Sequence, residues 1–139
     1  MTVRGQYAIV IGCGRLGAVI AEALSAAGCS VTVVDRDPAR LGELSPEFSG
    51  FVIEGDATQL SVLEQAKCEE AHIFLAVTGN DNVNLMVSQA ARRKYRVLKV
   101  AASIKNPNLE AMLRRAGIIA VSPVSLTAKN ILDAVIARG

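Results

Sequence analysis

Tyr7-Ala8-Ile9-Val10-Ile11-Gly12-Cys13-Gly14-Arg15-Leu16-Gly17 decides the fold: five strand-forming residues run straight into glycines spaced G-x-G-x-x-G. A helical stretch, Ala18 to Ala27, follows, and a second apolar run, Ser30 to Val34, ends at Asp35. A lone glycine triplet says little. Strand, triplet, helix, strand and an acid about 20 residues downstream, in that order, make a complete dinucleotide-binding unit. Gly12 permits the tight turn, Gly14 lets backbone approach a pyrophosphate, and Gly17 allows helix and strand to pack closely. The amide groups at the helix start are left facing an anion.

Outward from this unit, runs rich in Val and Ile recur at Gly50–Ile53, His72–Val77, Val97–Ala101 and Ile118–Val121, separated by stretches with helical spacing. Continuous apolar strands alternating with helices are the pattern of a parallel sheet covered on both faces. Asp37-Pro38 and Asn106-Pro107 each place a capping side chain before a proline at the first helical position, and Ser125 is expected to cap the last helix. The expected fold is α/β: a Rossmann-like, doubly wound, parallel six-stranded sheet, with residues 1–139 forming one domain.

Composition agrees. With 139 residues, 51% hydrophobic and 20% charged, the chain has enough apolar material for one core and too little charge for a disordered polyelectrolyte. A net charge of +2 gives no general attraction to nucleic acid or anionic lipid. No apolar run approaches the roughly 20 residues of a membrane span, and the start lacks the apolar segment of a secretory signal, so a cytoplasmic protein without direct membrane insertion is expected. Cys13, Cys29 and Cys68 are odd in number and widely spaced, which points to reduced thiols rather than disulfides or a zinc site.

An acid at Asp35 favours free ribose hydroxyls and repels a 2′-phosphate, so NAD(H) or an adenine nucleotide (ATP, ADP or AMP) is expected over NADP(H). Arg36 can stack on adenine, accommodate a phosphate or simply be solvated. Arg15, at the helix start, can grip a terminal phosphate or the pyrophosphate, or point outward. Cys13 and Leu16 occupy variable positions of the loop, Cys13 as a small space-filling residue. The loops after the third and fourth strands should complete the site: Glu54-Gly55-Asp56-Ala57-Thr58 and Thr78-Gly79-Asn80-Asp81-Asn82-Val83-Asn84. Capping of the following helix is a second role open to Asp56, Thr58, Asp81 and Asn84.

The series G-x-G-R-x-G, D, G-D-A-T and T-x-x-D-x-x-N resembles the RCK/KTN domains, the amino-terminal TrkA-type domains that regulate potassium channels and transporters, over nearly the whole chain. The resemblance implies that the Gly12 to Gly17 loop holds phosphates and Asp35 the ribose. It also implies that Asp56, Ala57 and Thr58 flank the adenine while Thr78 and Asp81 close the other side. Two departures stand out. A basic residue common in the family's strand-five segment is absent, with Ala102 near its position. The family's Pro-Glu before the last helix is Pro123-Val124 here, so no metal is expected.

Arg92-Arg93-Lys94-Tyr95-Arg96, the densest basic run, joins a helix end to strand five at the sheet edge opposite the crevice, where cations favour the helix dipole. His72, the only histidine, lacks partners for catalysis or metal binding, and no catalytic residue is assigned. The function expected is therefore not enzymatic: a nucleotide-sensing regulatory subunit or domain acting on a potassium channel or transporter subunit in the membrane, with no nucleic-acid partner. The alternatives are an NAD-dependent oxidoreductase domain and an interaction module without a ligand. Ala128, Ile131, Leu132, Val135 and Ile136 form a wide apolar stripe on the last helix, expected to cover the sheet with one face. The remainder, with Val124 and Leu126, would pair two copies, as the resemblance also implies.

Overall fold

The computed structural model of the chain describes residues 2–137. Its elements alternate as the apolar runs require: β1 (Tyr7–Ile11), α1 (Arg15–Ala26), β2 (Ser30–Asp35), α2 (Pro38–Leu41), β3 (Phe51–Glu54) and α3 (Leu60–Gln65). A 3-10 turn at Cys68–Glu70 leads to β4 (Ile73–Ala76), α4 (Asp81–Arg93), β5 (Lys99–Ser103), α5 (Pro107–Arg115), β6 (Ile119–Val121) and α6 (Pro123–Ala137). The six strands form one sheet in the order β3-β2-β1-β4-β5-β6, and every pairing is parallel. This is the doubly wound topology expected from the sequence.

Strand alternation divides the core between the two faces. Ile9, Ile11, Val34 and Phe74 face α3, α4 and α5, where they meet Leu63, Val87 and Leu113. Ala8, Val10, Val31 and Val33 point the other way, burying Ala21 of α1 and packing against the partly buried Leu41 at the end of α2. Asp37 and Asn106 cap α2 and α5 through their side chains, and Pro follows each at the first helical position.

Two expectations about element ends are corrected. Strand five starts at Lys99 rather than Val97, because the buried Val97 spends its N–H on the carbonyl of Ala91 and so closes α4. Arg96 makes that closing turn with φ of 57°. Ser125 lies inside α6; Ser122, one residue before the helix, accepts the Ser125 N–H through its Oγ at 3.3 Å.

The larger correction concerns α6, which has no buried residue and does not cover the sheet. Val124 is 74% exposed and Ile136 72%. Ser122 alone separates β6 from α6, too few residues to turn the helix back along the strands, since such connections ordinarily take 2–6. The sheet face on the α1 side therefore stays open beside β6, where Ile119 and Val121 are exposed.

Candidate functional site

The strand order reverses between β1 and β4, and open α/β sheets leave their ligand crevice beyond the carboxyl ends of the strands at such a point. A cavity of about 530 Å³ lies there, within the range of small-molecule sites. Gly12, Asp35, Arg36, Asp56, Ala57 and Thr78, all expected from the sequence, wall it.

The glycine loop forms the floor. Gly12 has φ of +105°, and a Cβ there would meet the Thr78 backbone nitrogen at 2.9 Å. A Cβ on Gly17 would stand 1.8 Å from the Gly12 carbonyl oxygen, so Gly17 is demanded by backbone packing. Gly14 differs: a Cβ would meet nothing within 4 Å, and the residue begins α1 with no side-chain cap and no acid in the first turn. Open space above uncapped helical N–H groups fits a phosphate or pyrophosphate.

Asp35 is 5% exposed. Its Oδ2 accepts the Cys13 N–H at 2.7 Å and its Oδ1 the Asp37 N–H at 2.8 Å, so one carboxylate fixes both the glycine loop and the turn into α2. Each carboxylate oxygen can accept a further hydrogen bond, so these contacts leave capacity for ribose hydroxyls. Arg40 stands 3.9 Å from Asp35 Oδ2 and 3.9 Å from Asp37 Oδ2 and lines the cavity with Arg36. On the third strand's loop, Asp56 Oδ1 accepts the Thr58 hydroxyl at 2.7 Å and the Thr58 N–H at 2.9 Å. The Thr58 hydroxyl, then its amide, with a smaller contribution from Arg36, hold the Asp56 carboxyl below its usual range.

The opposite wall is stapled by Asn84, which is buried. Its Oδ1 accepts the Thr78 N–H at 3.0 Å and the Thr78 hydroxyl at 2.7 Å; its Nδ2 donates to the carbonyls of Thr78 at 3.0 Å and Ser103 at 2.8 Å. All four hydrogen-bonding positions of the amide are used, and the loop after β4 is tied to the end of β5. Asn80 caps α4 by accepting the Val83 N–H.

Not every expected site residue lines the cavity itself. Cys13, Gly14, Arg15, Leu16, Gly17, Thr58 and Asp81 do not wall the cavity. Gly14, Arg15 and Leu16 are exposed beyond Gly12, and the Cys13 side chain is in the α1-side core, where burial, then Asp35, push its thiol upward. Thr58 acts on the wall only through Asp56. Asp81 does not close the cavity: its carboxylate accepts the backbone N–H of Lys105 at 3.0 and 3.2 Å and of Asn106 at 2.9 Å, tying α4 to the loop after β5. Ala102, near the position where a basic group is absent, is buried in the core.

Sequence reasoning missed Asp37 and Arg40 and named Gly79, Asn80 and Val83 only as part of the loop after the fourth strand. For Arg40 a signal existed, since position i+3 from a helix-capping acid shares its side of the first turn. His72 lies at the other end of the sheet, where Nδ1 accepts the Tyr7 N–H at 2.9 Å. The basic run ends α4, with Arg92 donating to the Val97 carbonyl.

The fold and its switch-point glycine loop define a Rossmann-type domain. The chain belongs to the TrkA-N domain family, whose model matches residues 8–123. It is 35% identical over 134 residues to the Trk system potassium uptake protein TrkA of Streptomyces coelicolor, covering 96% of this chain and 60% of that protein. It is 33% identical to the TrkA homolog of Methanothermobacter thermautotrophicus, covering 96% and 61%. The chain thus spans about three fifths of the length of these curated relatives. Among solved structures it resembles the TrkA-N domain of the Escherichia coli inner membrane protein ybaL, with a TM-score of 0.83 and 22% identity over 93% of this chain and 96% of that one. The AMP-bound Kef CTD of Shewanella denitrificans matches at 0.78 and 24%, over 96% and 82%. The GsuK channel bound to NAD matches at 0.69 and 22%, over 88% and 23%. These likenesses show the fold.

Proposed function

We propose that this chain is the nucleotide-binding part of a regulator of potassium transport, acting on a membrane channel or transporter subunit from the cytoplasmic side. One observation carries the reading: a cavity at the switch point floored by Gly12, with uncapped amides at Gly14 and the Asp35 carboxylate on its β2 side, in a chain of the TrkA-N family. NAD(H) or an adenine nucleotide fits this arrangement, the phosphates at the start of α1 and the ribose at Asp35, which disfavours a 2′-phosphate. That a relative of the same fold is AMP-bound and another NAD-bound supports the choice of ligand.

The role is regulatory and not catalytic. Binding and release bias a conformational equilibrium by differential affinity for two states. The exposed α6, with Val124, Leu126, Ile131 and Val135 on its surface, is the element through which two copies pair and convey the bound state. No helix among the described residues is long and apolar enough to cross a membrane.

The test is calorimetric titration of the purified chain with NADH, NAD, ATP, ADP and AMP, followed by a turnover assay with NADH and simple carbonyl compounds. Saturable binding without turnover is expected. No binding to any of the five removes the nucleotide site, and turnover of NADH returns the oxidoreductase alternative.

A further inference from the structure

The net charge of +2 conceals a separation. Residues 1–81 carry eleven acidic and five basic side chains, whereas residues 82–139 carry ten basic and two acidic. Such asymmetry between the halves of a chain is a mark of contact with an anionic surface. The fold gathers most of these cations in one place. Helices α4 and α5 run back from the crevice, so their carboxyl ends reach the end of the sheet where the strands begin. Arg93 and Lys94 close α4, Arg96 and Lys99 carry the chain into β5, and Arg114 and Arg115 end α5. All six are exposed.

Arg92 joins the two turns. It donates from Nη1 to the Val97 carbonyl at 3.3 Å, and a Cβ on Gly117, just after α5, would stand 3.1 Å from its Nε. Of the six exposed cations, Arg114 alone forms an ion pair among the described residues, with Glu110 at 3.8 Å. The carboxyl ends of the two helices offset about one unit of charge between them, so this end stays strongly positive. Acids border it at Tyr95, whose hydroxyl is pushed upward by burial, then by Glu64 and more weakly by Glu69. Leu98 lies among the cations and is 79% exposed, more than any other large apolar side chain among the described residues. Long charged stems around one projecting leucine suit a surface with anionic headgroups above an apolar layer. A nucleic-acid backbone offers the leucine no such partner.

We propose that the end of the sheet opposite the crevice docks on an anionic lipid surface, with Arg93, Lys94, Arg96, Lys99, Arg114 and Arg115 over the headgroups and Leu98 entering the layer just beneath them. Clusters of four to eight Lys and Arg are the ordinary basis of such binding, each worth about fivefold in affinity. The contact is peripheral, made by side chains at turns and not by a spanning helix. It leaves the nucleotide crevice open, since the crevice lies at the other end of the strands. Its place beside a membrane rests on the transport reading above, but its test involves no nucleotide, so the two readings fail separately.

The experiment is co-sedimentation of the full chain with vesicles of phosphatidylglycerol and, separately, of phosphatidylcholine, at low and at high salt. Binding to phosphatidylglycerol alone, weakened by salt, is expected. The triple variant Arg93→Gln, Arg96→Gln, Lys99→Gln should bind roughly 100-fold more weakly. Leu98→Ser should lose roughly tenfold with the salt dependence unchanged, since it removes apolar area and no charge. Thermal melts of all the proteins should coincide, because the altered side chains are exposed and outside the ion pairs. No sedimentation with phosphatidylglycerol, equal binding to both lipids, or a triple variant that binds like the unaltered chain overturns the proposal. Binding to a DNA duplex as tight as to phosphatidylglycerol, with Leu98→Ser without effect on either, also overturns it and leaves a general polyanion site. Salt-sensitive self-association without vesicles, abolished in the triple variant, overturns it in favour of the acidic half of a second copy as the occupant.

Discussion

Gly14 and Gly17 stand three residues apart in one loop, yet their substitution should separate binding from folding. At Gly17 a Cβ would lie 1.8 Å from the Gly12 carbonyl oxygen and 2.8 Å from its carbon. Neither atom can swing aside as a side chain would, so Gly17→Ala must push α1 away from β1. Overpacking of this kind costs roughly 1–3 kcal/mol. At roughly 4 °C per kcal/mol for a domain of this size, the melting temperature should fall by about 4–12 °C. At Gly14 a Cβ would meet nothing within 4 Å, and the backbone, at φ −75° and ψ −165°, is in the extended region that β-branched residues favour. Gly14→Val should therefore leave stability within about 0.5 kcal/mol. The same valine would fill the space through which a phosphate reaches the loop amides. Loss of two hydrogen bonds to a charged group, each worth roughly 1.5–3 kcal/mol, lowers affinity by at least about 100-fold. Differential scanning fluorimetry and nucleotide titration on both variants make the comparison. Retained binding in Gly14→Val, or equal loss of melting temperature in the two variants, would refute the assigned roles.

The Asn84 staple should be structural: Asn84→Ala orphans hydrogen-bonding groups on Thr78 and Ser103 and is expected to cost about 3 kcal/mol in urea unfolding, whereas a loss under about 1 kcal/mol would mean that the staple is dispensable. For Asp56, a carboxyl held below its usual range contributes stability that is present above the unfolded-state pKa and is lost as pH falls through the folded one. Thr58→Val, which removes the largest cause, should accordingly melt lower than the unaltered chain at neutral pH, with the gap closing in strong acid; a pH-independent gap would contradict this. Light scattering should give twice the 14.6 kDa chain mass, and Ile131→Glu with Val135→Glu on the exposed α6 should return it to a single mass. A monomer that stays monomeric with nucleotide would remove the proposed pairing.

Much of this molecule is local and was legible for that reason. Apolar runs with strand period, helical spacing between them, and Asp-Pro and Asn-Pro at helix starts each depend on neighbours within a few residues. Together with the G-x-G-x-x-G to Asp35 spacing they imply parallel strands and a crevice, and the sheet has that order. The periodicity of α6 marked an apolar stripe correctly but could not say where the stripe points, because direction is set by the single-residue connection at Ser122 and by how far β6 runs. Asp81 reads locally as the first residue of a helix, and its actual partners lie 24 and 25 residues away. Arg40 looks like a solvated surface charge until strand order brings its turn to the crevice. The sequence by itself determined the elements, their faces and the phosphate loop, since period, caps and glycines act over a turn or two. Which charges meet across the crevice, and that α6 stands clear of the sheet, were decided only by the tertiary structure, through register and connection lengths that no local pattern encodes.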